Sequence, residues 1–269
     1  DIITHFFNSL FKYGLFLYEG YGIEENQEKS LQWIKKASDE GHHRASIKYA
    51  NIILYEKNEE EKDKIEFALN LLKEEADQGF TEAMIIYHDY ITNTDYNPTK
   101  DEINEAINYL KMAVDKNDDE ATLTYARCYL RSGELKDIPK CLELLRKLVN
   151  KNYPYSINLL IDTLLHCKKP ITDDDLFEVT SLYKKKADNV TEGYGYEEYD
   201  YAKWLLNGKV QVDKKEAANY LKKAADKNFL DAIELYIKML KKGDGIPKDK
   251  NEAKRYKEIL KNLKKQKKK

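Results

Sequence analysis

Apolar side chains recur along this chain at a spacing of about 38 residues. Trp33 serves as the reference for an anchor position on a predicted helix, and its equivalents are Leu71, Tyr109, Leu144, Leu182, Tyr220 and Tyr256. Three residues before each anchor the side chain is no larger than valine. It lies on the same helical face one turn away, so it lets a second helix approach closely. A period of this length is typical of stacked helical repeats.

Each repeat is predicted to be two helices joined by a short turn. Gly or Asn follows most anchors by eight residues, as at Gly41, Gly79 and Asn117, and both tolerate the left-handed conformation that ends a helix. Twelve residues after most anchors an alanine or serine opens the next helix, and a tyrosine or leucine follows four residues later. Glycine and proline are scarce in the whole chain, so we predict an all-α fold.

Two stretches resemble the Sel1-like repeat family, a relative of the tetratricopeptide repeat. Residues 243–256 carry a glycine-rich turn, then a small residue followed by an aromatic three positions later. Residues 216–232 carry the same small-x-x-aromatic start, paired alanines and a closing alanine. The resemblance implies a right-handed α/α solenoid of about seven helix-turn-helix repeats of 35–38 residues.

The repeat pattern divides the chain into a solenoid over residues 1–260 and a basic C-terminal tail over residues 261–269. The predicted repeats are approximately 5–41, 42–79, 80–117, 118–152, 153–190, 191–228 and 229–260. About three extra residues enter between Thr191 and Tyr199, where the fifth repeat meets the sixth. The superhelix is expected to bend or break at this insertion.

The charge is distributed unevenly. The formal net charge is −2, although residues 241–269 contain 13 Lys or Arg against 4 Asp or Glu. This basic end could attract an acidic polymer or a membrane surface, and the alternative is a solvated, frayed helix end. No apolar run approaches the roughly eighteen residues that cross a bilayer, so membrane insertion is not expected.

The start of the chain and its cysteines indicate a compartment. The first residues contain neither Met nor a basic segment, and they look like an internal boundary of a longer chain rather than a signal peptide. Three cysteines make an odd number with no metal-type spacing, which favours a reducing, cytoplasmic location.

No catalytic or metal-ligating pattern stands out in the sequence. The five histidines form no His-x-x-x-His pair and the cysteines no Cys-x-x-Cys pair, so neither a metal site nor a cofactor is predicted. No nucleophile motif or phosphate-binding glycine loop stands out, and we expect no enzyme activity. His88 is predicted to be a half-buried packing residue. Cys128 and Cys141 are predicted to lie on facing helices. They could form a disulfide, and the alternative is two reduced thiols in the core.

The first candidate binding surface lies on the first helices of the repeats. Positions that neighbouring repeats do not use are expected to be free for a ligand. The predicted partner-binding residues are Lys48, Ile52, Ile86, Tyr90, Thr124, Cys128, Leu159, Trp204 and Met239. Several of them are more apolar than a solvated surface requires, which is typical of an interface.

The second candidate surface is an acidic-aromatic patch outside the repeat pattern, formed by Tyr194, Tyr196, Glu197 and Tyr199. It could recognise a basic or peptide partner. The alternative is a structured insert between two repeats.

The predicted function is a non-catalytic scaffold or adaptor that binds a peptide or protein on its concave helical face, as the resemblance also implies. The alternative is a structural component of a large assembly, such as a cytoskeletal or ciliary lattice, in which the Lys-rich tail docks on an acidic polymer. Base stacking on nucleic acid is not expected, because the aromatic residues are not joined to a strong basic stripe.

Overall fold

The computed structural model describes residues 2–55, 62–93, 96–130, 136–189, 193–207 and 213–266. Within these residues the regular structure is entirely helical, and the predicted all-α class is confirmed. The helices are α1 (Ile2–Glu19), α2 (Gln27–Asp39), α3 (His43–Tyr55), α4 (Lys62–Asp77), α5 (Thr81–Asn93), α6 (Lys100–Asp115), α7 (Asp119–Cys128), α8 (Ile138–Asn150), α9 (Ser156–Asp162), α10 (Asp173–Asn189), α11 (Tyr196–Leu206), α12 (Lys214–Asp226), α13 (Leu230–Lys242) and α14 (Lys250–Gln266). One π-helical turn, Thr163–Cys167, continues α9.

The chain forms two compact bodies, Asp1–Leu144 and Leu145–Lys269, and the boundary falls within α8. In the first body each helix from α1 to α6 packs on the next one along the chain. In the second body the same order holds from α9 to α14. Packing between sequence neighbours is the organisation of an α/α solenoid, which is the predicted fold class. Each predicted repeat contains one helix pair, although the division into seven repeats stays a prediction.

Aromatic contacts join the two helices of a repeat. Tyr201 and Tyr220 meet edge to face with ring centroids 4.8 Å apart, and Tyr236 and Tyr256 do so at 5.2 Å. In each pair the second tyrosine occupies the anchor position. Edge-to-face geometry is favourable because the positive ring edge meets the negative ring face. The periodic tyrosines therefore hold the helix pairs together, as their spacing predicted.

The same anchors also connect one repeat to the next. The Tyr109 hydroxyl donates to Oδ1 of Asp77 at 2.7 Å, and Asp77 is the last residue of the preceding second helix. Tyr256 donates in the same way to Asp226. Burial and the hydrogen bond to that carboxylate raise the pKa of Tyr256 to about 12. The hydroxyl is thus satisfied inside the array.

Left-handed residues end the helices where the sequence predicted them. The φ angle is +79° at Gly41, +61° at Asn117 and +64° at Asn228. Each of these residues follows a second helix and reverses the chain into the next repeat. Gly and Asn adopt this conformation at little cost, so the prediction of these helix ends is confirmed.

Small residues at the helix crossings permit close approach. A Cβ atom on Gly14 would lie 2.7 Å from Cγ1 of Ile34. The Ser30 hydroxyl donates to the Gly14 carbonyl oxygen at 2.7 Å across the same crossing. The predicted role of the small residue three positions before the anchor is seen here directly, because Ser30 touches the backbone of α1.

The predicted tail from 261 to 269 is wrong in its first part. Helix α14 extends to Gln266, Leu263 packs against the core of the second body, and Lys264 forms an ion pair with Glu234 at 2.5 Å. The amphipathic pattern continues past residue 260, so these residues complete the last helix. Residues 267–269 lie outside the described part of the chain.

Candidate protein-binding surfaces

Several of the predicted partner-binding residues are buried within their own chain. These residues are Ile52, Tyr90, Cys128, Trp204 and Met239. The expectation that their side chains point outward is therefore wrong.

The contacts of these residues explain the burial. The Trp204 indole stacks on Tyr183 with ring centroids 5.4 Å apart, and its Nε1 donates to Oγ1 of Thr180 at 2.8 Å. Both partners lie on α10, in the preceding repeat. Tyr90 likewise contacts Tyr55 of α3, with centroids 5.9 Å apart. This position on the first helix faces the preceding repeat rather than solvent.

The other four residues of the predicted surface are partly exposed. They are Lys48, Ile86, Thr124 and Leu159. The Lys48 ammonium lies 4.4 Å from the centroid of the Tyr18 ring, in a cation–π contact with α1. A role for these four in binding a partner stays a prediction.

Cys128 lies in a polar cluster that the sequence did not reveal. Its Sγ is 3.4 Å from Nε2 of His88, whose Nδ1 is 3.2 Å from Oδ1 of Asp89. Burial lowers the pKa of His88, but the hydrogen bonds to Asp89 and Cys128 outweigh it and raise the pKa to about 9. Cys128 and Cys141 are buried thiols that form no disulfide with each other, as in the reduced alternative.

One residue of the acidic-aromatic patch, Tyr194, lines a groove in the second body. Tyr194 is 88% exposed. Tyr196 and Tyr199 each contact the ring of Phe229, with centroids 6.2 Å and 5.0 Å away. Phe229 lies in the turn between α12 and α13. The three tyrosines of the predicted patch therefore lie close to the turn that contains Phe229, about thirty residues later in the sequence.

Backbone packing fixes this segment against α12, the second helix of the same predicted repeat. Gly195 begins α11 with a φ of +86°, and a Cβ there would lie only 2.9 Å from the Ala224 carbonyl oxygen. Glycine is thus required for both conformation and space. This local geometry is that of the structured insert given as the alternative. The side chain of Tyr194 nevertheless stays exposed to solvent.

The groove has a volume of about 720 Å³. Its lining consists of Tyr194, residues 227–231, and Leu263 and Gln266 of α14. One side of it is thus contributed by residues of the predicted basic C-terminal tail. Concave surfaces lined by aromatic and aliphatic side chains are the usual form of binding sites.

A buried ion pair supports the groove. Nζ of Lys227 lies 2.6 Å from Oε1 of Glu198, which is buried, and none of the described residues hydrogen-bonds Oε2 of Glu198. The lining of the groove also includes the acidic side chain of Asp231.

Phe229 was missed because it lies within the regular repeat pattern. An aromatic residue directly follows the closing Gly or Asn at Phe80 and Tyr153 as well. The Phe80 ring contacts His43, with centroids 4.6 Å apart. The recurrence of this aromatic position is visible in the sequence. The identity of the aromatic residues that contact Phe229 is not.

The family described as Sel1 repeat matches residues 8–42, 97–118, 120–153, 198–229 and 232–256, which is more than half of the chain. The chain belongs to the Sel1 repeat family. No match is found among curated proteins. Sel1 repeat proteins are typically non-catalytic scaffolds that mediate protein interactions.

Solved structures share the fold. A Sel1 repeat protein from Oxalobacter formigenes is 20% identical with a TM-score of 0.60, over 96% of this chain and 73% of that one. The structure of c5321, a protective antigen present in uropathogenic Escherichia coli strains, is 16% identical with a TM-score of 0.62, over 97% of this chain. The chain spans 54% of the length of c5321. At these identities the similarity shows the α/α-solenoid fold alone.

The described residues contain neither a candidate membrane-spanning helix nor a candidate metal-binding group. Among them, none of the helices is both long enough and apolar enough to cross a membrane. Nor does this part of the chain bring together three His, Cys, Asp or Glu side chains in a metal-binding group.

Proposed function

We propose that this Sel1 repeat protein is a non-catalytic cytoplasmic scaffold and that the groove of the second body binds a peptide segment of its partner. The observation that carries the proposal is the groove itself, in which the 88% exposed Tyr194 stands beside the Phe229 turn and α14. Exposed aromatic residues beside an apolar depression commonly supply most of the energy of a protein interface.

The chemistry of the groove indicates the class of peptide. Phe229 and Leu263 offer apolar contacts, whereas Asp231 supplies negative charge. The Lys227 ammonium is already paired with Glu198, so it neutralises little of this charge. A segment with an apolar side chain flanked by Lys or Arg fits this arrangement best.

Site-specific photo-crosslinking tests the groove directly. Benzoyl-phenylalanine replaces Tyr194 in one sample and Phe177 of α10 in a matched control, since Phe177 is 76% exposed in the same body. We expect a discrete cross-linked partner from position 194 alone. Tyr194→Ala should then weaken binding of the identified partner by about tenfold or more, whereas Phe177→Ala should not. Equal cross-linking from both positions, or none from 194, would contradict the proposal.

A second candidate function is docking on an acidic polymer within a large assembly. It is favoured by the outer face of α14, where Lys254, Lys257, Lys261 and Lys265 are exposed. Their spacing places them on one side of the helix. The double variant Lys257→Glu and Lys261→Glu should weaken co-sedimentation with an acidic filament, and added salt should weaken the wild type likewise. Lys241→Glu, an exposed lysine on α13, serves as the control, and equal loss in this variant would argue against the site.

A further inference from the structure

A cysteine, a histidine and an aspartate lie side by side in the first body. Sγ of Cys128 is 3.4 Å from Nε2 of His88, and Nδ1 of the same ring is 3.2 Å from Oδ1 of Asp89. Cys128 lies on α7, whereas the other two residues lie on α5, in the preceding repeat. A thiol, an imidazole and a carboxylate in this order form an arrangement in which histidine activates a sulfur nucleophile.

Repeat packing does not by itself require these polar side chains. The repeat position of His88 is filled elsewhere by isoleucine, or by the small residues Gly14, Ala50, Ala126 and Ala202. Most of the residues equivalent to Cys128 are large and apolar, such as Ile52, Trp204 and Met239. A buried imidazole needs hydrogen-bond partners to offset its lost hydration, whereas alanine fills the same position without that requirement. The pair therefore indicates chemistry rather than packing.

The surroundings of His88 favour its protonated form. Burial lowers the pKa of His88, but the hydrogen bonds to Asp89 and Cys128 outweigh it and raise the pKa to about 9. Nδ2 of Asn93 donates to the same Asp89 oxygen at 3.2 Å, which helps to hold the carboxylate in place. When both ring nitrogens carry protons, Nδ1 donates to Asp89 and Nε2 donates to Sγ. A cationic donor favours the thiolate, which is the nucleophilic form of cysteine.

We propose that Cys128 is a modification site at which a small hydroperoxide oxidises the thiolate to a sulfenic acid. The sulfur attacks the hydroxyl oxygen of the hydroperoxide, and the S–O bond forms as the O–O bond breaks. The Nε2 proton of His88 moves to the departing oxygen, which leaves as water or an alcohol. Sulfur loses two electrons, the peroxide gains them, and the imidazole is left neutral.

The burial of Cys128 limits the reagents that reach it. Cys128 is 9% exposed, so it is nearly but not fully enclosed, whereas Cys141 is fully buried and Cys167 is exposed. Hydrogen peroxide is only slightly larger than water, and an aromatic disulfide such as dithiobis(nitrobenzoic acid) is many times larger. The three cysteines therefore separate activation of a thiol from access to it within one molecule.

Mass spectrometry of the three cysteines tests the proposal on the wild-type chain. The protein is treated with hydrogen peroxide at pH 7, quenched with catalase and unfolded with dimedone, which labels sulfenic acids. Cys128 should be labelled about fivefold faster than Cys167 or more, because only Cys128 is argued to be activated. With dithiobis(nitrobenzoic acid) the order should reverse, since access then decides. Labelling by peroxide that is as fast at Cys167 as at Cys128 would overturn the proposal.

Two variants test the role of the histidine. His88→Gln keeps a polar donor but removes the positive charge, so it should slow peroxide labelling of Cys128 by about tenfold. The rate at Cys167 should not change and is the internal control. Asp89→Asn, at a side chain that is 39% exposed, should slow Cys128 about threefold and decides the question if His88→Gln loses helicity. A Cys128 rate that is not lowered in the folded variant would show that His88 only packs against the sulfur, and the proposal would be wrong.

Discussion

The first and last helices of the described chain have opposite outer faces. On α1 the exposed face carries Phe6, Tyr13 and Phe16, whereas the exposed face of α14 carries lysines such as Lys257 and Lys261. Both helices pack an apolar side onto the preceding or following helix of their own pair. The difference lies only in the face directed away from that pair.

This difference concerns the face that a neighbouring repeat covers on the interior helices. On α14 that face is polar, because charged side chains alternate with Ile259, Leu260 and Leu263 around the helix. The composition of α1 is that of an interior helix. We therefore expect the two ends to respond differently to the same kind of substitution.

The largest expected effect is at the inner face of the C-terminal pair. Tyr256 is fully buried, meets Tyr236 edge to face and donates to Asp226. Tyr256→Ala should lower the free energy of unfolding by about 3–5 kcal/mol, through a cavity and an unpaired carboxylate. Phe16→Ala, at a 45% exposed ring on α1, should cost less than about 1 kcal/mol.

Urea denaturation measures the free energy of unfolding of both variants. Hydrogen exchange then shows which of the two bodies is destabilised. Equal losses for Tyr256→Ala and Phe16→Ala would mean that Phe16 is as well packed as Tyr256. The contrast between the inner and outer faces of the end helices would then be wrong.

A smaller effect is expected inside the first body. His88 occupies the repeat position of Gly14, and its partner Cys128 occupies that of Phe16. The hydrogen bonds raise the pKa of His88 from its ordinary 6.5 to about 9, despite its burial. A raised pKa stabilises the folded state fully below pH 6.5, and this contribution is lost as pH rises toward 9. The repeat position that Phe16 occupies on α1 is thus occupied on α7 by Cys128, which takes part in a pH-dependent contact.

Urea unfolding at a series of pH values tests this contact. Between pH 6.5 and 9 the wild type should lose roughly 1–3 kcal/mol more stability than His88→Leu. His43→Leu, at a half-exposed histidine paired with Glu75, controls for histidine titration in general. If wild type and His88→Leu lose stability in parallel, His88 is not held protonated in the fold.

Much of the fold followed from patterns that depend on local geometry. The small residue at Ser30, the left-handed Asn117 and the tyrosine anchor at Tyr220 each repeat because one repeat has one conformation. The Tyr–Asp bonds between repeats were not predicted, although Asp77 and Asp226 each lie six residues after an anchor. That signal becomes meaningful only when two repeats are placed side by side.

The candidate surfaces were harder to predict, because a helix face is defined by what covers it. Lys48 and Ile52 lie one turn apart on α3, yet Lys48 is partly exposed and Ile52 is buried. Both had been expected to face outward. Successive residues of a helix are rotated by about 100°. A small error in assigning a helix face therefore places a side chain in solvent when it actually packs on the preceding repeat.

The sequence by itself determined the helix pairs, their ends and the residues that join them, since these depend on spacing within about forty residues. The tertiary structure decided which side of each first helix is covered, and it brought Tyr194, Phe229 and Leu263 to one groove. Those residues are separated by about one repeat in the sequence, and their meeting depends on how successive repeats stack. Stacking is a relation between repeats, so the pattern within one repeat does not contain it.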